Sequence, residues 1–229
     1  MSKTTGRSLQ QEAWMQLRKN KVAMFSGVLI LFVCGVALLA PWISPYAFDE
    51  QYLDRVLAAP NSQHWLGTDS LGRDMLSRLI YGSRISMAVG MITAFVSLII
   101  GTAYGAAAGW FGGWTDAALM RVIDILDSIP SIILLILVKL VFESADIIEN
   151  PELKALTGML LALSLVSWVS LARVVRGQVL QVKQMSYVEA ARSMGASQLR
   201  MVAQHILPNI LGPVIVLLTF QIPSNILSE

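Results

Sequence analysis

The sequence predicts an all-α polytopic membrane protein, and three observations carry that prediction. Hydrophobic residues make up 55% of the 229 and charged residues only 14%, for a mean hydropathy of +0.62, outside the usual composition of a soluble domain. The apolar residues fall in several uninterrupted runs of membrane-spanning length. Lys and Arg gather around the ends of those runs, as the positive-inside rule expects. The same scatter of cations, with a formal net charge of +2, leaves no basic patch of the kind that tracks nucleic acid. Cys34 is the sole cysteine and lies inside an apolar run, so internal disulfides and cysteine metal clusters are excluded, and its expected role is packing.

The chain opens with Ser8 to Asn20, in which Ser8 and Gln11 have capping-box spacing and Leu9, Ala13 and Leu17 share a helical stripe near Trp14. This suits a short interfacial helix. Arg18, Lys19 and Lys21 then flank the uncharged run Val22 to Ile43, placing residues 1–21 in the cytosol and sending the first span outward. That run exceeds a signal-peptide core, so it is expected to remain uncleaved. Ser44 to Arg84 is polar and expected outside, introduced by Trp42 and Tyr46 at the interface. Within it Gly67 and Gly72 permit turns, Asp69 and Asp74 are able to cap or to pair with Arg73 and Arg78, and a helix should begin near Asp74.

Ile85 to Gly109 forms the second expected span, with Gly101, Gly105 and Gly109 spaced four apart beside Ala106, Ala107 and Ala108. Small residues at that period mark a face packed on another helix, whose identity the sequence leaves open. Trp110, Phe111 and Trp114 are expected at the inner interface. The third span, Ala117 to Phe142, carries Arg121, Asp124 and Asp127 in its first turns, with Pro130 where the deeper apolar run begins. Ionisable groups at membrane depth suggest a gate or a contact on a translocation path. The plainer alternative is an i,i+3 pair of Arg121 with Asp124 near the interface. Lys139 is placed to snorkel.

An acidic outer loop, Glu143 to Lys154, precedes the fourth span, Ala155 to Ala172. The segment 173–205 then carries Arg173, Arg176, Lys183, Arg192 and Arg200 against Glu189 alone, an inside bias that agrees with the count of spans. Ser186 and Glu189 have the S-x-x-E spacing of a capping box, so a helix should start near Tyr187. Gly195 should close it in the left-handed conformation, and Ser197 should cap a second helix running through Leu199, Met201 and Val202 towards Ile206. Ala190 and Ala191 should leave the first helix slim on one side. Ile206 to Leu227 is the fifth span, entered through Pro208, interrupted by Pro213 and Pro223, and bearing Gln221 and Asn225 near its end. Such a helix suits a bundle interior or a water path.

At this loop the chain resembles the permease subunits of binding-protein-dependent ABC importers, whose cytoplasmic loop reads E-A-A, three residues, G, nine residues, I-x-L-P. Glu189, Ala190, Ala191, Gly195, Leu207 and Pro208 match, while His205 stands at the isoleucine position with Ile206 beside it. E-A-A alone is equally an ordinary solvated turn; its place between apolar spans gives it weight. A second stretch, HWLGTDSLGRDMLSRLIYGSRIS from His64 to Ser86, is similar to the signature of the dipeptide and oligopeptide subfamily, which also takes in nickel importers.

The resemblance implies the transmembrane domain of a type I ABC importer, covering 22–229, with five spans present and a further C-terminal span expected after Glu229. It implies an ATPase-docking loop at Ser186, Glu189, Ala190, Ala191, Gly195, Leu207 and Pro208. Asp124, Asp127, Gln221 and Asn225 are the candidates for the path. The implied partners are a homologous second permease, two ATP-binding subunits that hold the ATP and Mg, an extracytoplasmic solute-binding protein and membrane lipid, in a bacterial cytoplasmic membrane. No cofactor or metal is expected in this chain, and it has no G-x-x-x-x-G-K-[ST] loop with which to be the ATPase. The expected solute is a peptide, with nickel or another small solute as the alternative. A membrane enzyme is disfavoured because His64 and His205 fall on opposite sides and Asp124 and Asp127 share one helix. A scaffold or receptor would have no use for a docking loop.

Overall fold

The computed structural model describes residues 9–145 and 147–228, and among these the regular structure is helical, with one isolated β-bridge between Thr68 and Asp74. The chain divides into two units, Met1–Met87 and Ala88–Glu229.

In the first unit, α1 (Leu9–Lys19) ends at Asn20, whose side chain accepts the Ala23 N–H at 3.1 Å and so starts α2 (Lys21–Ile43). Arg18 and Lys19 sit in the last turn of α1, where cations complement the helix dipole. The Ser8 half of the expected capping box lies outside the described residues. α2 leaves large apolar side chains such as Phe25, Leu31 and Trp42 more than two-thirds exposed, a surface suited to lipid rather than water.

The segment after α2 is built on two glycines at φ +74. A Cβ on Gly72 would stand 2.1 Å from the Tyr52 carbonyl oxygen, and one on Gly67 would stand 2.4 Å from that of Ala58. Backbone bonds from Tyr52 to Gly72 and from Thr68 to Ala58, both 3.1 Å, close the loops that these approaches permit. Beneath them His64 and Asp74, each 1% exposed, meet at 2.9 Å, with the Tyr46 and Tyr52 rings 5.0 and 5.6 Å from the imidazole. The other Asp74 oxygen accepts both the backbone N–H and the hydroxyl of Ser77 at 2.8 Å and so caps α3 (Met75–Phe111). Burial works to raise the Asp74 pKa, but the Ser77 N–H, His64 and the Ser77 hydroxyl outweigh it and hold the carboxyl below its ordinary value. Asp69 behaves likewise. Desolvation is outweighed by the N–H groups of Arg73 and Leu71 and by the guanidinium groups of Arg73 and Arg78, leaving its pKa far below the usual range.

At 37 residues α3 is about 55 Å long, against roughly 30 Å of hydrocarbon. Its first turns therefore belong to the polar segment, and the expected span Ile85 to Gly109 is its apolar remainder. In the second unit that remainder lies against α6 (Pro151–Val182). Added Cβ atoms on Gly101, Gly105 and Gly109 would come within 3.0, 2.3 and 2.9 Å of the carbonyl oxygens of Trp168, Ala172 and Arg176. The helix that these small residues receive is thus α6 of the same chain.

The third span departs from expectation. It is two helices, α4 (Gly113–Ser128) and α5 (Ser131–Ser144), bent by 89°. Pro130 forces the bend, because a residue before proline is driven out of helical geometry, and Ile129 takes φ −91, ψ 128. Among the described residues four helices are long and apolar enough to cross a membrane, or up to five with this pair counted as one broken span. Asp124 also pairs differently from the expected Arg121 contact, as described below. Lys139, expected to snorkel, lies 3.8 Å from Glu143, one turn on.

α6 is the centre of this unit. Leu171, Val175 and Val179 pack with Ala106 and Trp110 of α3, with Val188 and Ala191 of α7 (Ser186–Ser193), with Met201 of α8 (Gln198–Met201), and with Ile210 and Val214 of α9 (Leu207–Leu227). Trp110 is only 6% exposed and belongs to this core, whereas Trp114, at 87%, has the exposure expected of an interface residue. α8 passes into α9 through a π turn at Val202–Ile206, closed by the Leu207 N–H on the Val202 carbonyl. Pro208 in the first turn of α9 has no N–H to satisfy, and a widened turn ahead of its ring relieves crowding.

Candidate functional site

Two features at the α6 to α9 end of the chain coincide with the residues singled out by sequence: an exposed helical turn, and a polar cavity farther along the same helices.

The turn begins where α6 ends at Val182. Met185, in extended geometry at φ −74, ψ 140, is the N-cap of α7, and its carbonyl accepts from Val188 and Glu189. Ser186 is therefore the first helical residue and not the cap, so the expected capping box is not formed. Glu189 is left exposed in the first turn, where a carboxylate favours the dipole but accepts no capping bond. Gly195 adopts φ +82, and the bonds of Ala196 to Ala191 (3.1 Å) and of Gly195 to Arg192 (3.0 Å) complete a Schellman stop. Ser197 then caps α8 through the Arg200 N–H at 3.4 Å.

The two alanines divide. Ala191 is 5% exposed and faces the core beside Val188, while Ala190 faces out, so the slim side is Ala190 alone. The exposed face carries Ser186, Glu189 and Ala190, joined by apolar groups that the motif did not indicate: Tyr187, Met194 and Leu199 are 42%, 82% and 81% exposed. Large apolar groups bared on a polar turn are the available signal for such contact residues. A hollow of about 330 Å³ lies beside them, lined by Tyr187, Met194, Gly195, Arg200 and His205. Leu207 is half-buried and Pro208 exposed where α9 begins.

The cavity, of about 490 Å³, is lined by α5, α6 and α9 and by Asp127 at the end of α4. It gathers three of the four path candidates, Asp127, Gln221 and Asn225, with the hydroxyls of Ser167, Ser170 and Ser224. Asn225 donates to Thr93 at 2.8 Å and Gln221 donates to the Ser167 carbonyl, so both amides are fixed between helices. Asp124 does not line the cavity. It shares a guanidinium with Asp127: Arg173 of α6 lies 3.3 Å from Asp124 and also bonds Asp127. One turn farther along α6, Arg176 forks onto Asp116 at 2.5 and 2.6 Å. Two arginines thus tie α4 to α6, a pairing across 46 to 60 residues that local spacing does not disclose.

The family described as "Binding-protein-dependent transport system inner membrane component" matches residues 101–229, and "N-terminal TM domain of oligopeptide transport permease C" matches residues 8–60. The chain is 38% identical to the dipeptide transport system permease protein DppC of Bacillus subtilis (strain 168), over 97% of this chain and 66% of that protein. It is 36% identical to the oligopeptide transport system permease protein OppC of the same organism, over 97% and 70%. The glutathione transport system permease protein GsiD of Pectobacterium atrosepticum is 35% identical, over 95% and 69%. The chain spans about two thirds of the length of these relatives. With its helical turn, its polar cavity and more than half its length in the family pattern, the chain belongs to the inner membrane components of binding-protein-dependent transport systems.

Proposed function

We propose that this chain is the permease subunit of an ABC importer that moves di- or oligopeptides across the cytoplasmic membrane. Residues 1–21 and the α7 to α8 turn face the cytosol, and the segment 44–84 faces out. A second, homologous permease completes the path. Two ATP-binding subunits, which hold ATP and Mg, dock on the turn, and a solute-binding protein delivers from outside. The chain itself is non-catalytic.

The observation that carries this reading is continuity. The exposed turn is fixed to the core by Val188 and Ala191 on one side, and on the other it runs through α8 and the π turn into α9 without a break. α9 brings Gln221 and Asn225 to the cavity wall, so movement imposed on the turn reaches the cavity along one stiff element. Because Glu189 caps nothing, Glu189→Gln changes only its charge. The relatives named for glutathione transport favour a second solute within the peptide class.

The test is uptake of radiolabelled dipeptide, oligopeptide and glutathione into vesicles carrying the complete transporter, alongside pulldown of the ATPase. Gly195→Val forces a β-branched residue to φ +82, at a cost above about 1 kcal/mol, and should abolish uptake and loosen the ATPase. Wild-type uptake with firmly bound ATPase in that variant would refute the coupling role. Mass spectrometry of the ligand released from the binding protein checks the solute: metal chelates or sugars in place of peptides would overturn the peptide assignment.

A further inference from the structure

An apolar groove and a basic pocket lie end to end on the second unit, apart from the polar cavity and on the flank of the α7 to α8 turn, with which they share Arg192, Gln198 and Leu199. The groove, of about 760 Å³, runs between α3 and the α8 to α9 helix, with Leu98, Ala103 and Ala107 on one wall and Leu199, Val202 and Leu211 on the other. At its end Trp110, Phe111 and Gln198 are shared with a pocket of about 550 Å³ that contains Lys183 and Arg192 and no acidic residue.

The two cations converge over one ring. Lys183 Nζ lies 5.5 Å and Arg192 Cζ 5.8 Å from the centre of the Trp110 ring, with Nζ donating to the Trp110 carbonyl at 2.5 Å. The indole is held in turn by Gln198 at 3.2 Å. Arg173 and Arg176 have carboxylates on α4, whereas Lys183 and Arg192 form no ion pair among the described residues, so their charge is available to an anion. The groove reaches from Phe111 back to Leu98, about 20 Å of helix, which matches the roughly 15 Å of one hydrocarbon leaflet. An anionic head with an apolar tail one leaflet long satisfies both parts. A buried protein helix would satisfy only the groove and leave the cations uncompensated.

We infer that this composite is a binding site for an anionic phospholipid, its phosphate between Lys183 and Arg192 and its acyl chain along α3 and α8 to α9. Basic pockets between helices select anionic headgroups by charge, and the continuous apolar wall adds the energy of chain burial. The lipid would rest against both α7, through Arg192, and α8, through Leu199, beside the docking turn.

The test is native mass spectrometry of the chain purified with its partner subunits and supplied with phosphatidylglycerol or phosphatidylcholine of identical acyl chains. Wild type should retain phosphatidylglycerol at least about ten-fold better, equivalent to about 1.4 kcal/mol. Lys183→Gln with Arg192→Gln should bring the two lipids level. Ala103→Phe leaves both cations in place and fills the groove, and should reduce retention of both lipids. Equal retention of the two lipids by wild type, or unchanged phosphatidylglycerol in the double variant, would overturn the inference. So would a cross-link from Ala107→Cys, in a Cys34→Ser background, to another polypeptide in native membranes, because it would place protein in the groove. Reaction of that cysteine with a lipid-borne maleimide instead is the supporting result.

Discussion

Replacing Gly105 by alanine should destabilise the protein although alanine is the better helix former. The new Cβ would stand 2.3 Å from the Ala172 carbonyl oxygen, 2.9 Å from Val175 Cβ and 3.0 Å from the Arg176 nitrogen, where ordinary contact begins near 3.4 Å. The first two obstacles are backbone and a branched carbon, neither of which swings aside, so α3 and α6 must part by about 1 Å. Overpacking of this kind costs about 1 to 3 kcal/mol, and improved helix propensity returns about 1 kcal/mol. The net expectation is a loss of up to about 2 kcal/mol, or a fall in Tm of several degrees at this chain length. Gly82 provides the control within the same helix, since a Cβ there meets no atom within 4 Å and Gly82→Ala should raise the Tm. Thermal unfolding of both variants in detergent, followed by size-exclusion chromatography, tests the pair. Equal shifts in the same direction would refute the claim that close backbone approach at Gly105 holds these helices together. The displacement should also be felt at Arg173 and Arg176, which lie beside Ala172 and tie α4.

Three further outcomes are expected. Asp74 has a lowered pKa in the folded protein, so its contribution is complete above the ordinary carboxylate pKa and is lost as pH falls through the depressed value; acid should loosen residues 44–74 by hydrogen exchange in wild type, and Asp74→Ala should show that loosening already at neutral pH, at about 3 kcal/mol. Arg176→Ala should lower the Tm more than Arg173→Ala, because Asp116 is 15% exposed while Asp124 and Asp127 are 56% and 53% exposed, and exposed pairs contribute under about 1 kcal/mol; the reverse order would mean that the Asp124 and Asp127 pairing is the structural one. Cysteines at Ser62 and Ser197, with Cys34→Ser, should react with an impermeant thiol reagent from opposite sides of the membrane, and labelling of both from one side would sink the proposed topology.

What the sequence disclosed follows the range of the interactions involved. Gly195 and Ser197 act on neighbours within a few residues, and their turn and cap are formed as expected. Asp69 likewise finds Arg73 and Arg78. Ser186 failed as a cap for an equally local reason: the exit from α6 gives Met185 the extended geometry and carries Ser186 one position into the helix. Pro130 was visible and breaks the span by driving Ile129 out of helical geometry, but a proline by itself does not disclose that the two helices meet at 89°. The glycine stripe named a packed face without naming α6, and Asp116 had no visible partner because Arg176 lies 60 residues away. Of the path candidates, side-chain type found Asp127, Gln221 and Asn225, but the serines that complete the cavity wall are unremarkable as sequence.

The π turn at Val202–Ile206 makes chain length here a matter of angular phase. Met201, Ile206, Ile210 and Val214 all point into the core, at steps of five, four and four. At about 100° per residue an unbroken α-helix would carry a five-residue step some 140° round and swing one end of this row out of the core. The wider turn absorbs the surplus residue and restores alignment. Deleting a single residue such as Ala203 would leave a four-residue step that a regular α-helix carries about 400° round, so the π turn should vanish with the row still in phase. Inserting a residue instead would rotate everything before it by about 100° relative to α9. Leu199, Gly195 and the whole of α7 would then face a different quarter of the membrane surface. An indel in the loop before Pro151 carries no such penalty, because no helix there has to stay in step with another.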